Sequence, residues 1–379
     1  MIELEPPPAK QSKAADPVPS SVRLFQHDPV LDLASPVRNL ILAIAALAAI
    51  AVALSRLLGA TSGLAVTHTT VGTTPVTVFA PISGDRAPAV VIAHGFAGSQ
   101  QLMQPFAVSL ARNGFIAVTF DFLGHGRNPQ PLKGSITETE GATTALIEEF
   151  AEVAAFARGL PASDGRLAVL GHSMASDIVV RYAQRDSDVA ATVAVSMFSP
   201  VVTATSPRNL LVIVGALEPA ALKNEALRIV AMAAGTVQIQ ENVTYGSVAA
   251  GTARRMAFSP GVEHIGVLYS RASLTQALVW LDTAFGRRLP DGDVSLDARG
   301  RWLGLLFLGL TVLAPPPFPH CCLVSPTARE GRTSHGVFCC RWPPRRLSSP
   351  HSSSGRRRPI SCLSWSVTIW RHISRSMAC

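Results

Sequence analysis

Short apolar runs alternate with longer amphipathic segments across residues 65–288 of this 379-residue chain. Continuous apolar runs are typical of strands buried on both faces, and they occupy residues 89–93, 116–120, 167–170, 192–197 and 210–214. Residues 76–80 alternate polar and apolar positions, as an outer strand does. Helical segments, notably residues 137–158, fall between these runs. The alternation predicts an α/β fold, with a mostly parallel sheet and helices on both of its faces.

A different pattern precedes this domain. Residues 40–54, "LILAIAALAAIAVAL", carry no charge and lie between Arg38 and Arg56. A helix of this length spans about 22 Å, less than the roughly 30 Å of a bilayer core, but it becomes long enough if Arg56 extends its side chain to the interface. We expect a transmembrane anchor at residues 37–60, rather than a signal peptide or a buried helix, because the preceding region is long and no cleavage site follows.

The charge of the chain is concentrated at one end. Residues 1–301 hold 23 basic and 24 acidic residues, whereas the remainder holds ten arginines, one acid and all six cysteines, which accounts for the net charge of +8. The positive charge therefore gives no support to a nucleic-acid partner. Residues 1–36, rich in proline, predict a flexible arm. Residues 302–314 predict the start of a second, truncated membrane helix.

Residues 315–379 form an Arg/Cys/Ser/Pro-rich tail without helical or strand periodicity. It can be interpreted as a disordered basic tail, a zinc site or a disulfide cluster, although its CC doublets lack the spacing of common zinc motifs. We favour a fourth interpretation, a frameshift near residues 314–315, because GC-rich codons read out of frame yield these residue types. No function is assigned to the tail.

The stretch "VLGHSMASD" at residues 169–177 places Ser173 between a buried strand and a helical pattern. A strand, a Gly-x-Ser turn and a helix form the nucleophile elbow of hydrolases, in which a sharp turn presents the serine hydroxyl above the sheet. Ala175 stands where the motif usually has glycine, and its single methyl group weakens the pattern without breaking it. The context predicts that Ser173 is a nucleophile.

A second turn, "HGFAGS" at residues 94–99, follows the strand at residues 89–93. A glycine-rich turn at the carboxyl end of a central strand can direct backbone N–H groups at an oxyanion. We expect the N–H groups of Phe96 and Met174 to be the two donors. An ordinary strand-to-helix turn is the alternative.

A serine nucleophile needs a base to accept its proton. His264, in "PGVEHIGVL", is the only histidine of residues 65–288 that follows Ser173, and the order serine, acid, histidine requires such a position. The histidines at 94, 125 and 172 lie inside motif turns, where structural roles are usual.

Glu218 is the predicted acid, because it lies in the loop after the strand at residues 210–214. Asp177 is only one helical turn from Ser173. The other acids are expected to lie on the surface or, at residue 263, to point elsewhere: Asp186, Asp188, Glu225, Glu241 and Glu263.

Five segments, HGFAGS, DFLGHGRN, GHSMAS, VIVGALEP and GVEHIGVL, resemble in this order the motif loops of the α/β-hydrolase superfamily. The closest resemblance is to bacterial proteins of the serine aminopeptidase, monoacylglycerol lipase and dienelactone hydrolase types, over about residues 65–288. It implies that Ser173 is the nucleophile, His264 the base and Glu218 the acid, with Phe96 and Met174 at the oxyanion hole. The departures are Ala175 and a glutamate at 218, where aspartate is commoner.

The same resemblance implies a structural role for Asp121, and the short segment at residues 198–208 leaves no room for a lid domain. We therefore expect an esterase-like or lipase-like serine hydrolase, less a peptidase, that acts on an ester, thioester or related acyl bond. No metal or cofactor is expected, and the partners are a small acyl or ester substrate and the lipid bilayer. A catalytically silent sensor or scaffold of the same fold is the alternative.

Two charge signals bear on the side of the membrane. Arg23 and Arg38 precede the first apolar segment and favour a cytoplasmic arm with an exported domain, whereas four arginines at 287, 288, 299 and 301 favour the reverse. The first helix usually dominates, so we expect an exported domain tethered to a bacterial inner membrane. Protease added outside intact spheroplasts distinguishes the two topologies, because it digests only an exported domain.

Overall fold

The computed structural model describes residues 34–134, 139–287 and 294–314. The predicted tail and nearly all of the predicted arm lie outside these ranges. Within them, eight strands form a single sheet in the order β1-β2-β4-β3-β5-β6-β7-β8. The strands are β1 (Leu64–Val71), β2 (Thr74–Pro81), β3 (Ala87–Ala93), β4 (Ile116–Phe120), β5 (Ser163–His172), β6 (Val189–Val195), β7 (Leu210–Gly215) and β8 (Arg254–Ser259).

The sheet is mixed at one edge and parallel elsewhere. β1 pairs with β2, and β2 with β4, in antiparallel fashion, whereas β4, β3, β5, β6, β7 and β8 are all parallel to their neighbours. Every residue of β3, β4 and β7 is buried, because helices cover both faces of the parallel part. The predicted mostly parallel sheet is confirmed.

Seven α-helices lie in the described ranges: α1 (Ala34–Leu58), α2 (Gln104–Arg112), α3 (Thr144–Arg158), α4 (Met174–Arg185), α5 (Ala220–Ala234), α6 (Arg271–Ala284) and α7 (Gly300–Leu313). The apolar residues of α2 and α6 pack on one face of the sheet. Those of α3, α4 and α5 pack on the other. The helix predicted at residues 137–158 is present as α3 after a short irregular turn at Thr139–Thr143, and its first two residues lie outside the described ranges.

The parallel strands bring several loops to one edge of the molecule. β3, β5, β6, β7 and β8 all end at this edge, which we call the carboxyl edge. The loops that follow them therefore lie side by side, as is usual for sites in open α/β sheets. Residues 196–209, between β6 and β7, contain neither helix nor strand, so no lid domain covers this edge there.

Two apolar helices, α1 and α7, pack against each other as an antiparallel pair. Arg56 near the end of α1 lies over the ring of Trp302 near the start of α7, while Gly309 lies against Ala46 and Ile50. Among the described residues, one helix, Val37–Thr61, is long and apolar enough to cross a membrane. α7 has 14 residues, and the short apolar run predicted at residues 302–314 lies within it and the residue that follows.

Candidate active site

Ser173 lies in a strained turn between β5 and α4. Its backbone angles are φ 54° and ψ −119°, a conformation that non-glycine residues adopt only when the surroundings enforce it. The Ser173 N–H donates to the carbonyl oxygen of Val195 at 2.9 Å, which ties the turn to the neighbouring strand β6. The local fold therefore presents the serine hydroxyl at the carboxyl edge.

The close approach of β5 and α4 explains the residues that flank the serine. A Cβ atom on Gly171 would overlap the carbonyl oxygen of Ala175, so only glycine fits at position 171. The methyl group of Ala175 is instead fully buried in the apolar cluster beneath α3 and α4. Alanine at 175 is thus accommodated by the packing of this fold.

A chain of hydrogen bonds joins Ser173, His264 and Glu218. The Ser173 Oγ atom lies 2.9 Å from His264 Nε2, and His264 Nδ1 lies 3.1 Å from Glu218 Oε2. With a carboxylate at Nδ1, the neutral imidazole carries its proton there and leaves Nε2 free to accept the hydrogen bond of the serine hydroxyl. The structure therefore brings together the three residues singled out in the sequence, from the loops after β5, β7 and β8.

Glu218 is held by more than the histidine. Its side chain is fully buried, and its Oε1 atom accepts hydrogen bonds from Ser196 Oγ at 2.6 Å and from the Gly215 N–H at 2.9 Å. Burial acts to raise the pKa of this carboxyl, but the hydrogen bonds from His264, Ser196 and Gly215 outweigh it and lower the pKa below the ordinary glutamate value. Glu218 is therefore ionised at neutral pH.

His172 supports the loop that carries His264. Its Nε2–H donates to the carbonyl oxygen of His264 at 2.9 Å, and the two rings lie 4.8 Å apart between centroids. Burial, reinforced by the neighbouring His264, lowers the pKa of His172 to about 4. His172 thus stays neutral at neutral pH beside the imidazole of His264.

The residues predicted as oxyanion donors belong to two segments that lie next to Ser173. Met174 is the first residue of α4, and the N–H at this position has no carbonyl partner within its own helix. Phe96 follows Gly95, which is so close that a Cβ atom there would lie 2.9 Å from Ser173 Cβ. The Phe96 turn is fixed by buried His94, whose Nδ1–H donates to Gly95 O at 2.8 Å while its Nε2 accepts the Phe122 N–H at 3.1 Å.

The remaining acids near the site have other partners. Asp177 binds Arg181 and the hydroxyl of Ser199, and Glu263 accepts the N–H groups of Ile265 and Gly266 in its own loop. Asp121 accepts hydrogen bonds from Gln100 and the Arg127 N–H, in line with the structural role expected of it. Asp188 and Glu241 are exposed, and Asp186 pairs with Arg158.

Glu225 is a correction to the sequence interpretation, which placed it on the surface. It is buried, pairs with Arg228 and accepts the Ser199 N–H. The pattern of α5 did not reveal this contact, because its partner lies in the loop after β6. Ser196 and His172 were likewise missed as supporting residues. The only local signal for Ser196 is a small polar residue directly after an apolar strand.

Residues 84–256 match the family model described as serine aminopeptidase, S33. No curated protein sequence matches the chain. Similar solved structures include protein TT1662 of Thermus thermophilus (17% identity, 59% of this chain and 99% of that one, TM-score 0.43) and a predicted CIB-like hydrolase of Thermoplasma acidophilum (17%, 58% and 100%, 0.43). A bacterial membrane phospholipase A is also similar (15%, 68% and 96%, 0.43). Likenesses of this degree carry no information about the substrate.

Proposed function

We propose that the chain is a membrane-tethered serine hydrolase of the α/β-hydrolase type that cleaves an ester, thioester or related acyl bond, in keeping with its mostly parallel sheet and with the family model that residues 84–256 match. The observation that supports this proposal is the hydrogen-bond chain from Ser173 through His264 to Glu218. A serine hydroxyl is a poor nucleophile by itself and needs an adjacent, oriented base, which this arrangement supplies.

In the first half of the reaction, the Ser173 Oγ attacks the carbonyl carbon of the substrate while His264 Nε2 accepts the hydroxyl proton. Glu218 holds the Nδ1–H and stabilises the imidazolium that forms. The negative charge that develops on the carbonyl oxygen is stabilised by the N–H groups of Phe96 and Met174. The tetrahedral intermediate then collapses, the bond to the leaving group breaks, and His264 returns its proton to the departing oxygen or sulfur.

In the second half, water replaces the leaving group. His264 accepts a proton from the water as its oxygen attacks the acyl carbon on Ser173. The second tetrahedral intermediate uses the same two N–H donors, and its collapse releases the acid and restores the Ser173 hydroxyl through the His264 proton. Each group thus acts twice, and the protons balance over the cycle.

The tether is proposed from the two apolar helices. α1 is long enough to span a bilayer, and Trp302 lies between Arg56 and Arg301 where α1 and α7 meet the domain. Aromatic and basic side chains are enriched at this depth, between the bilayer core and water. Retention of the full chain in a membrane pellet after an alkaline carbonate wash is the expected result, and its release would contradict the anchor.

The chemistry is tested by covalent labelling. A fluorophosphonate probe should attach to Ser173 of the purified full-length chain, because the probe needs an activated serine. Ser173→Ala should abolish labelling and lower kcat for p-nitrophenyl esters by on the order of 10³-fold or more. Ser83→Ala, an exposed serine on the β2–β3 loop, is the control and should retain both. If the probe does not label the wild-type chain, the silent scaffold is favoured instead. Wild-type turnover by Ser173→Ala would likewise contradict the proposed role of Ser173.

A further inference from the structure

We propose that a groove at the end of α1 binds the phosphate headgroup of an anionic phospholipid. The groove has a volume of about 270 Å³ and lies where three segments meet: the end of α1 with the residues after it, the end of α2, and the residues that lead into α7. The inference rests on the proposed function in one respect, since the tether places the groove at the bilayer boundary. It adds a lipid site that the serine chemistry does not need.

Three arginines line the groove, one from each segment. Arg56 belongs to α1, Arg112 is the last residue of α2, and Arg301 lies in the first turn of α7. Among the described residues, none of the three forms an ion pair with a carboxylate. Like charges brought together without an acid repel one another, so the groove favours an anionic ligand.

The acid that lines the groove is already paired. Asp297 accepts hydrogen bonds from the guanidinium group of Arg299, and its backbone N–H donates to Ser109 Oγ at 2.8 Å. Arg299 is not among the residues that line the groove. The charge of Asp297 is therefore neutralised from outside, and it leaves the three lining arginines without compensation.

The three guanidinium groups are held in place by contacts that leave donors unused. Those of Arg56 and Arg301 lie over the ring of Trp302, 5.6 and 4.7 Å from its centroid. Arg112 donates one hydrogen bond to the Ala60 carbonyl oxygen at 2.7 Å. A guanidinium group has five N–H donors in a planar fork that matches phosphate oxygens, and contact with the face of a ring uses none of them. Donors thus remain for a phosphate.

The position of the groove favours a lipid as the source of that phosphate. α1 is long and apolar enough to cross a bilayer and ends at this groove, so the arginines and Trp302 lie at headgroup depth, where basic side chains attract anionic lipids. The groove is smaller than the roughly 300–1,000 Å³ of pockets for whole small molecules. It fits a headgroup whose acyl chains lie along the exposed apolar side chains of α1 and α7.

Lipid binding to the full-length chain in dodecyl maltoside micelles tests the groove, with native mass spectrometry of the lipid adducts as the measurement. Phosphatidylglycerol should bind at least about tenfold more tightly than phosphatidylcholine with the same acyl chains, because it carries a net negative charge. Inorganic phosphate at the same concentration should not displace it. Equal binding of the two lipids overturns the proposal. Displacement by phosphate also overturns it, because the groove would then be a site for soluble anions.

A double variant tests the arginines. Arg56→Gln with Arg301→Gln should weaken phosphatidylglycerol binding about 25-fold, since each basic residue near anionic lipid contributes about fivefold. Arg127→Gln with Arg185→Gln is the matched control, because these exposed arginines lie outside the groove and the net charge changes by the same amount. The control should bind within about twofold of the parent chain. Equal losses in the two double variants would reflect net charge alone and overturn the site.

Arg301→Lys distinguishes a shaped site from a general attraction of charge. Lysine keeps the positive charge but lacks the planar fork and its contact with the Trp302 ring, so phosphatidylglycerol binding should weaken about threefold. Parent-like binding in Arg301→Lys would show that the position of the guanidinium group does not matter and would overturn the site.

The carbonate wash separates the failure of this proposal from that of the proposed function. If the chain stays in the membrane pellet but binds phosphatidylglycerol no better than phosphatidylcholine, the groove is wrong and the anchor stands. If the wash releases the chain while phosphatidylglycerol is preferred in micelles, the anchor is wrong and the groove stands. Labelling of Ser173 by the fluorophosphonate probe is independent of both results.

Discussion

At the scale of single residues, the proposed acid Glu218 is held at both of its carboxylate oxygens. Its Oε2 atom contacts His264, while its Oε1 atom is held by Ser196 and by the Gly215 N–H. The side chain is thereby fixed at both oxygens. In the proposed mechanism Ser196 is a positioning residue, because it touches the carboxylate and not Ser173 or His264.

This arrangement predicts the effect of removing the Ser196 hydroxyl. Ser196→Ala should lower kcat by about tenfold with little change in KM, since a hydrogen bond to a charged group contributes about 1.5–3 kcal/mol. Glu218→Gln should lower kcat further, by roughly 10²-fold to 10⁴-fold, because the amide no longer stabilises the imidazolium. Steady-state kinetics on a soluble ester measures both.

Ser199→Ala is the matched control, since that buried hydroxyl binds Asp177 rather than Glu218. Its kcat should stay within about twofold of wild type, as expected for a residue outside the acid's hydrogen bonds. Equal losses in Ser196→Ala and Ser199→Ala would show that the effect comes from packing and not from the acid.

Much of the site could be found from the sequence at this scale. Ser173 and the HGFAGS turn have local signatures, and chain order then leaves His264 as the one histidine downstream within the domain. Ser196 and His172 could not be assigned supporting roles in this way. Their contacts reach Glu218 and His264 across 22 and 92 residues of sequence, and nothing local specifies such pairs.

At the scale of secondary structure, buried strands were predictable and edge strands were not. β3, β4 and β7 read as continuous apolar runs because both of their faces are covered. β1 is an edge strand with mostly exposed residues, and β8, at the other edge, opens with two arginines. β1 has no fully buried residue and therefore carries a weak periodic signal, and β8 buries four of its six residues but lacks an apolar run because it begins with arginines, so both were missed.

The contact between α1 and α7 gives a prediction for these helices. A Cβ atom on Gly309 would lie 2.7 Å from Ile50 Cγ1 and 3.0 Å from Ala46 O, because small residues let apolar helices approach closely. Gly309→Val should force the helices apart and destabilise the full chain in detergent micelles by about 1–3 kcal/mol. Thermal denaturation followed by tryptophan fluorescence measures the shift in Tm.

Gly304→Val provides the comparison on the same helix, since a Cβ atom there meets nothing within 4 Å. Its Tm should match that of the parent chain. If both valine variants shift Tm alike, the effect reflects the apolar character of valine and not the fit between α1 and α7.

At the scale of the whole molecule, two buried histidines make stability depend on pH. Burial lowers the pKa of His94 and of His172 from 6.5 to about 4. Between these pH values the unfolded chain binds more protons than the folded one, so the free energy of unfolding falls as the pH falls. The slope is up to about 1.4 kcal/mol per pH unit for each histidine.

Urea denaturation between pH 6.5 and pH 5 measures this slope. His172→Gln keeps an N–H donor for the His264 carbonyl but cannot titrate, so its slope should be lower than that of the parent by up to about one proton. The carboxyls of Glu149 and Asp282, whose pKa values are raised by burial, act in the opposite direction and are unchanged by the substitution. Parallel curves for the variant and the parent would remove His172 as a source of acid lability.

The difference between positions 171 and 175 has an evolutionary consequence. Glycine codons (GGN) and alanine codons (GCN) differ by one base, so a single base change exchanges these two residues. At position 171, substitution of glycine by alanine is excluded, because the added methyl group would overlap the Ala175 carbonyl oxygen. At position 175 the structure accommodates the alanine methyl group in the core, and we expect glycine to be tolerated there as well. Descendants of this lineage are thus expected to keep the first glycine while the second position drifts between alanine and glycine.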